Sequence, residues 1–175
     1  MPEFVVVPAR ARRCPFLDGS CPSWVASQTT MTKQVLIASD SKSVRDEVKA
    51  VLSSREFTVR EVSSGEAVLP AVAAEHPDLV ICDFQVGNRG GMAITLDLRL
   101  EEGADRIEPT AILLLLDRRA DVFLARRSDA DGFLVKPLDP MRLRRAITAL
   151  LAGEGFEDES YKPAASAAAP AVASS

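Results

Sequence analysis

Asp83 closes an apolar run, Leu79-Val80-Ile81-Cys82, and a loop from Phe84 to Gly91 follows it at once. Two other runs end in the same way. Val35-Leu36-Ile37-Ala38-Ser39 closes on Asp40, and Gly132-Phe133-Leu134-Val135 closes on Lys136-Pro137. Short apolar runs bounded by turn residues read as buried strands of a parallel sheet. Open α/β sheets place their ligands at the carboxyl edge of such strands. Two acids and a lysine at one edge make a site for a divalent cation and a phosphoryl group: carboxylate oxygens suit a hard cation, and an ammonium suits a phosphoryl oxygen.

The elements that must position these residues alternate from residue 33 onward. Strands are expected at residues 35–38, 57–62, 78–82, 110–116 and 132–135. Between them, Val44, Val48, Val51 and Leu52 form one helical stripe, with Ser43 and Asp46 spaced as a capping box. Ser64 is read as the cap of a second helix reaching about His76 and interrupted or bent at Pro70. Helices are also expected over residues 92–102, ended by Gly103, and over 120–127. Asp139 with Pro140 opens a fifth helix, whose stripe is Leu143, Ile147, Leu150 and Leu151. Five βα units predict a doubly wound, five-stranded parallel sheet over residues 33–152.

Composition narrows the classes. A chain of 175 residues holds one ordinary domain and some tail, and 47% apolar residues suffice for one core. The net charge of −4 gives no overall pull toward nucleic acid or anionic membrane. No apolar stretch approaches the length of a membrane span. Cys14, Cys21 and Cys82 are too few and too scattered for a disulfide framework, and a reducing cytoplasm is expected. Residues 1–31 are broken by four prolines and are read as a disordered extension or an over-extended gene start, with Met31 as the native start. Residues 153–175 are expected to be a disordered Ala/Ser/Pro-rich tail.

Taken in order, Asp40, Asp83, Gly91, the stretch Ala130-Asp131-Gly132-Phe133-Leu134-Val135 and the pair Lys136-Pro137 resemble the motifs of a bacterial response-regulator receiver domain. The resemblance implies a flavodoxin-like (βα)5 fold and a stand-alone receiver in phosphorelay signal transduction. Asp83 would accept a phosphoryl group from a histidine kinase or phosphotransfer protein. Asp40, Asp83 and the backbone carbonyl of Gln85 would hold Mg²⁺. Lys136 would pair first with Asp83 and then with a phosphoryl oxygen, and Pro137 would follow a cis peptide. Such a protein is not an enzyme beyond catalysing its own phosphorylation and dephosphorylation.

Three positions depart from the family pattern. Ser39 stands where the first acid of the pair is usual, and Gly87 replaces a usual proline. Leu116 stands where a Thr or Ser hydroxyl normally reaches the phosphoryl group, a bond leucine cannot make. The second switch position holds an aromatic without a hydroxyl, Phe133. A phosphorylation-independent receiver-like scaffold is therefore the alternative. A dehalogenase-like aspartyl-phosphate phosphatase is a remote third, because it wants an acid where Gln85 stands.

Other features have plainer readings. Cys82 is a small core residue, and His76 is a helix-end residue rather than a phosphorelay or metal site. Arg118, Arg119, Arg126, Arg127, Arg142, Arg144 and Arg145 are read as a solvated surface balanced by Asp117, Asp121, Asp129 and Asp139. Read functionally, they form a basic output face over the fourth helix, fifth strand and fifth helix. That face would serve a downstream protein with acidic character, or a homodimer. The residues after the fifth helix are too few for a DNA-binding output domain, so direct DNA binding is not expected.

Overall fold

The computed structural model describes residues 32–160. The expectations for residues 1–31 and 161–175 lie outside these described residues. Six strands form one parallel sheet in the order β2-β1-β3-β4-β5-β6: β1 Lys33–Ala38, β2 Phe57–Val62, β3 Leu79–Asp83, β4 Ala111–Leu116, β5 Gly132–Val135 and β6 Phe156–Glu157. The helices are α1 Lys42–Val51, α2 Val68–Glu75, α3 Gly91–Gly103, α4 Val122–Arg127 and α5 Pro140–Leu151. The strand order reverses between β1 and β3, so their carboxyl ends flank the crevice where this architecture places ligands.

The sheet splits the apolar core in two. On one face, Val48 and Leu52 and the α5 residues Leu143, Ala146, Ile147 and Leu150 pack on Val35, Ile37, Leu79, Ile81, Leu113, Leu115 and Leu134. On the other, residues of α2, α3 and α4 pack on Leu36, Ala38, Val80, Cys82, Leu114, Leu116, Phe133 and Val135. Alternate residues of one strand point to opposite faces, so β4 needs leucines on both sides. All four are buried, each contributing about 2 kcal/mol of apolar transfer free energy.

Several local expectations need correction. The sheet has six strands, not five, because residues in the expected tail pair with β5: Gly132 lies opposite Phe156 and Phe133 opposite Glu157. A cap turn through Gly153 (φ 80°) reverses the chain after α5, and Phe156 then packs on the core face beneath α5. Helix α1 starts at Lys42 with Ser41 at its N-cap, so Ser43 lies inside the helix and bonds Glu47 instead of capping. Ser64 precedes a short 3₁₀ turn, Gly65–Ala67, and makes no side-chain cap bond. Pro70 falls in the first turn of α2, where its missing N–H costs no intrahelical bond, and the helix runs on through it to Glu75. His76 is the C-cap of α2 in left-handed conformation, φ 48°.

Candidate functional site

Parallel pairing decides which side chains meet. Val35–Ala38 of β1 lie beside Leu79–Cys82 of β3, Asp83 lies opposite Leu115, and Leu116 lies opposite Val135. The residues just past these strand ends, 39 and 40, 84 to 87, 117 and 136, therefore gather at one edge. The Lys136 backbone N–H donates to the Leu116 carbonyl at 2.8 Å, which ties the ends of β4 and β5 together.

Asp83 is buried at this edge, with 3% of its surface exposed. A buried carboxylate needs hydrogen bonds and a counter-ion, and Asp83 has both. The Lys136 ammonium donates to Oδ1 and Oδ2 at 3.0 Å each, the Ser39 hydroxyl donates to Oδ2 at 3.0 Å, and the Gln85 N–H approaches Oδ1 at 3.3 Å. The Ser39 hydroxyl, itself fully buried, thus bonds directly to the carboxylate it accompanies. Arg45 of α1 fixes that segment from behind by donating to the Ser39 carbonyl at 2.5 Å.

Lys136 is shared. Its ammonium also lies 3.0 Å from Asp117 Oδ1, so one cation bridges a buried and a half-exposed carboxylate. Partial burial pulls the lysine pKa down, but the hydrogen bonds it donates to Asp117 and then Asp83, with their charges, outweigh it and hold the ammonium above the ordinary lysine value. The Lys136–Pro137 peptide is cis.

Asp40 is exposed at the mouth of the same edge, facing the β3–α3 loop: a Cβ added to Gly87 would stand 3.4 Å from Asp40 Oδ2. Gly91 ends that loop where only glycine fits, since a Cβ there would lie 2.9 Å from the Asp83 carbonyl oxygen and from the Phe84 Cα. Gln85 is exposed on the loop. Among the described residues no group of three or more His, Cys, Asp or Glu is arranged to hold a metal. Asp40 and Asp83 at this edge remain hard oxygen donors, the chemistry that suits Mg²⁺. Leu116 and Phe133 point away from the site into the core under α4, both buried. Arg126 covers the Phe133 ring at 5.8 Å. Burial, and next the adjacent Asp83 charge, pushes the Cys82 thiol up to about 12, so it stays protonated and acts only as packing.

The response regulator receiver domain profile matches residues 35–148. The chain belongs to the receiver domain family. It is 29% identical over 122 residues to the DNA-binding response regulator MtrA of Mycolicibacterium smegmatis, covering 70% of this chain and 52% of that protein. The chain thus spans about half the length of the curated relatives it matches. A LuxR-family two-component response regulator from Aurantimonas sp. SI85-9A1 superposes with a TM-score of 0.63 at 26% identity, over 71% of this chain and 89% of that one. The chemotaxis response regulator CheY4 of Vibrio cholerae shares the fold with a TM-score of 0.61 at 23% identity, over 68% of this chain and 98% of that one. Residues 35–148 are thus a response regulator receiver domain. Among its described residues no helix is long and apolar enough to cross a membrane.

The sequence reading placed Asp40, Asp83, Gln85 and Lys136 at one edge, and the structure brings them there. It missed Asp117, which it counted only as a surface charge, and it read Ser39 only as a lost acid. The register could have shown Asp117: if residue 116 pairs with residue 135, then 117 stands beside 136.

Two arginines on either side of Lys136 in the sequence, Arg126 and Arg142, meet a partner within the chain that the sequence reading does not foresee. Arg142 donates to Asp158 at 2.7 Å, to the Ser160 hydroxyl at 2.5 Å and to the Pro137 carbonyl at 2.8 Å. Arg126 pairs with Glu157 at 2.6 Å. Two of the seven arginines read as a solvated surface or, functionally, as a basic output face thus hold the chain's own acidic segment, Glu157-Asp158, along β5.

Proposed function

We propose that this receiver accepts a phosphoryl group on Asp83 from a phosphohistidine of a histidine kinase or phosphotransfer protein in the cytoplasm. The observation that carries the reading is the buried Asp83 carboxylate at the carboxyl edge of the sheet, bonded on both oxygens by the Lys136 ammonium at 3.0 Å. An Asp83 oxygen attacks phosphorus as the P–N bond breaks, and the histidine nitrogen departs with the electron pair of that bond. The product is an acyl phosphate.

Asp40, Asp83 and the Gln85 backbone carbonyl would hold Mg²⁺, which when bound neutralises charge on the incoming phosphoryl oxygens. Lys136 supplies the protein's own positive charge, placed in advance at the point where negative charge accumulates. Ser39 keeps the Asp83 carboxylate oriented through its hydroxyl. Output is proposed to pass through α4, β5 and α5, where Phe123, Met141, Arg127, Arg144 and Arg145 are exposed, to a downstream protein or a second copy.

Intact mass after incubating the full chain with phosphoramidate and Mg²⁺ tests the reading, since the donor's nitrogen leaves as ammonia. One added phosphoryl group is expected, and none in Asp83→Ala. One observation favours a second reading, a receiver-like scaffold that works without phosphate: Leu116 is sealed in the core with no hydroxyl to follow a phosphoryl group. Absence of an adduct on the folded parent chain would select that reading.

A further inference from the structure

We propose that Asp117 is a competing counter-ion for Lys136, placed to hold the ammonium back from the phosphoryl oxygens and so to limit how much of the receiver stays phosphorylated. The inference rests on Asp83 being the acceptor.

Its basis is geometric. The end of β4 lies against the end of β5, and the backbone bond from Lys136 to Leu116 fixes the spacing of residues 117 and 136. From that position Asp117 reaches the same ammonium as Asp83, at the same 3.0 Å. The Asp117 side chain is 36% exposed and the Asp83 side chain 4%, so Asp117 is the solvent-facing partner of the lysine and Asp83 the buried one. At rest the cluster holds one cation and two anions. Phosphorylation replaces the single charge of Asp83 by nearly two on the phosphoryl group. Lys136 is then the cation that must bond it, and each donor hydrogen it keeps on Asp117 is withheld from the phosphoryl oxygens. The Asp117 carboxylate also adds like charge close to that group. Both effects favour the unphosphorylated state. Partial exposure screens the carboxylate, so the effect is a tuning one. Asp117 touches neither donor nor acceptor and acts through Lys136, which makes it a positioning residue.

The test compares the parent, Asp117→Asn, Asp117→Glu and the remote charge control Glu108→Gln as full chains with phosphoramidate and Mg²⁺, read by intact mass. Asp117→Asn is expected to raise the steady-state ratio of phosphorylated to free protein about fivefold and to slow its decay after donor removal. Asp117→Glu and Glu108→Gln should stay near the parent. An equal or lower ratio in Asp117→Asn would overturn the proposal. Uptake by none of the four proteins would remove the acceptor reading alone. The hold on Lys136 is then read by the ¹⁵N–¹H signal of its ammonium, which two carboxylates protect from exchange. A signal sharp in the parent and broadened only in Asp117→Asn supports the counter-ion role, and an unchanged signal overturns it.

Discussion

Two borders of β5 carry the departures of this receiver, and they are built differently. At its carboxyl end, four side chains form the proposed phosphoryl site: Asp83 inside, Lys136 across it, Ser39 and Asp117 on either flank. Along its lateral edge, a whole segment closes the sheet: β6 pairs with the strand, Arg126 and Arg142 hold Glu157 and Asp158, and the buried Asp158 accepts from the Val135 N–H at 3.0 Å. The contrast separates two ways of altering one fold. Single substitutions around a buried charge change what the site can do with little change of packing. An added strand instead brings many small contacts and changes which surface is free. Effects should therefore be sharp and functional at the first border, graded and structural at the second.

Lys136→Ala should break the first border most severely. It removes the cation aimed at the developing phosphoryl charge, and phosphorylation from phosphoramidate should slow by about 100-fold or more. A rate within a few-fold of the parent would mean that Lys136 serves packing alone.

Asp158→Ala should give the largest structural effect at the second border, about 2–3 kcal/mol by chemical denaturation. It leaves the Val135 N–H and the Arg142 guanidinium without their buried acceptor. Burial pushes the Asp158 pKa up, but bonds from Ser160 and Val135, with the Arg142 charge, outweigh it and hold the carboxyl below 3.8. A carboxylate depressed on folding stabilises above its ordinary pKa and loses that contribution as pH falls through the folded value. The gap between parent and variant should accordingly be full at pH 7 and shrink below about pH 4. A gap that is constant with pH would assign the effect to packing.

Ser39→Asp sharpens the comparison at moderate size. A second carboxylate beside Asp83 should destabilise the metal-free protein by about 1 kcal/mol, and Mg²⁺ should restore it more than it stabilises the parent. Thermal melts with and without Mg²⁺ read both terms. Arg126→Ala should be the mildest, below about 1 kcal/mol, because its ion pair with Glu157 is exposed on both sides.

The same two borders differed in how far the sequence revealed them. Strand ends carrying Asp40, Asp83 and Lys136 were legible because buried parallel strands are continuous apolar runs, and a charge at the end of one stands out. The two residues of β6 were not legible. Phe156-Glu157 is too short for any periodicity and stands among glycines and acids. Its pairing exists only because folding presents the edge of β5. Asp117 was hidden for a related reason: nothing local marks it, and its contact with Lys136 belongs to the register between strands. The cap at Ser43 was misread because Ser41, two residues earlier, suits the same role and the helix begins there.

Asp83 is the proposed phosphoryl acceptor. Borohydride trapping of the phosphoramidate-treated full chain tests it most directly, because an aspartyl phosphate is reduced to homoserine and tandem mass spectrometry then locates it. Homoserine at position 83 alone is the predicted result. Homoserine at position 40 or 117, or at no position in the folded protein, would contradict the account.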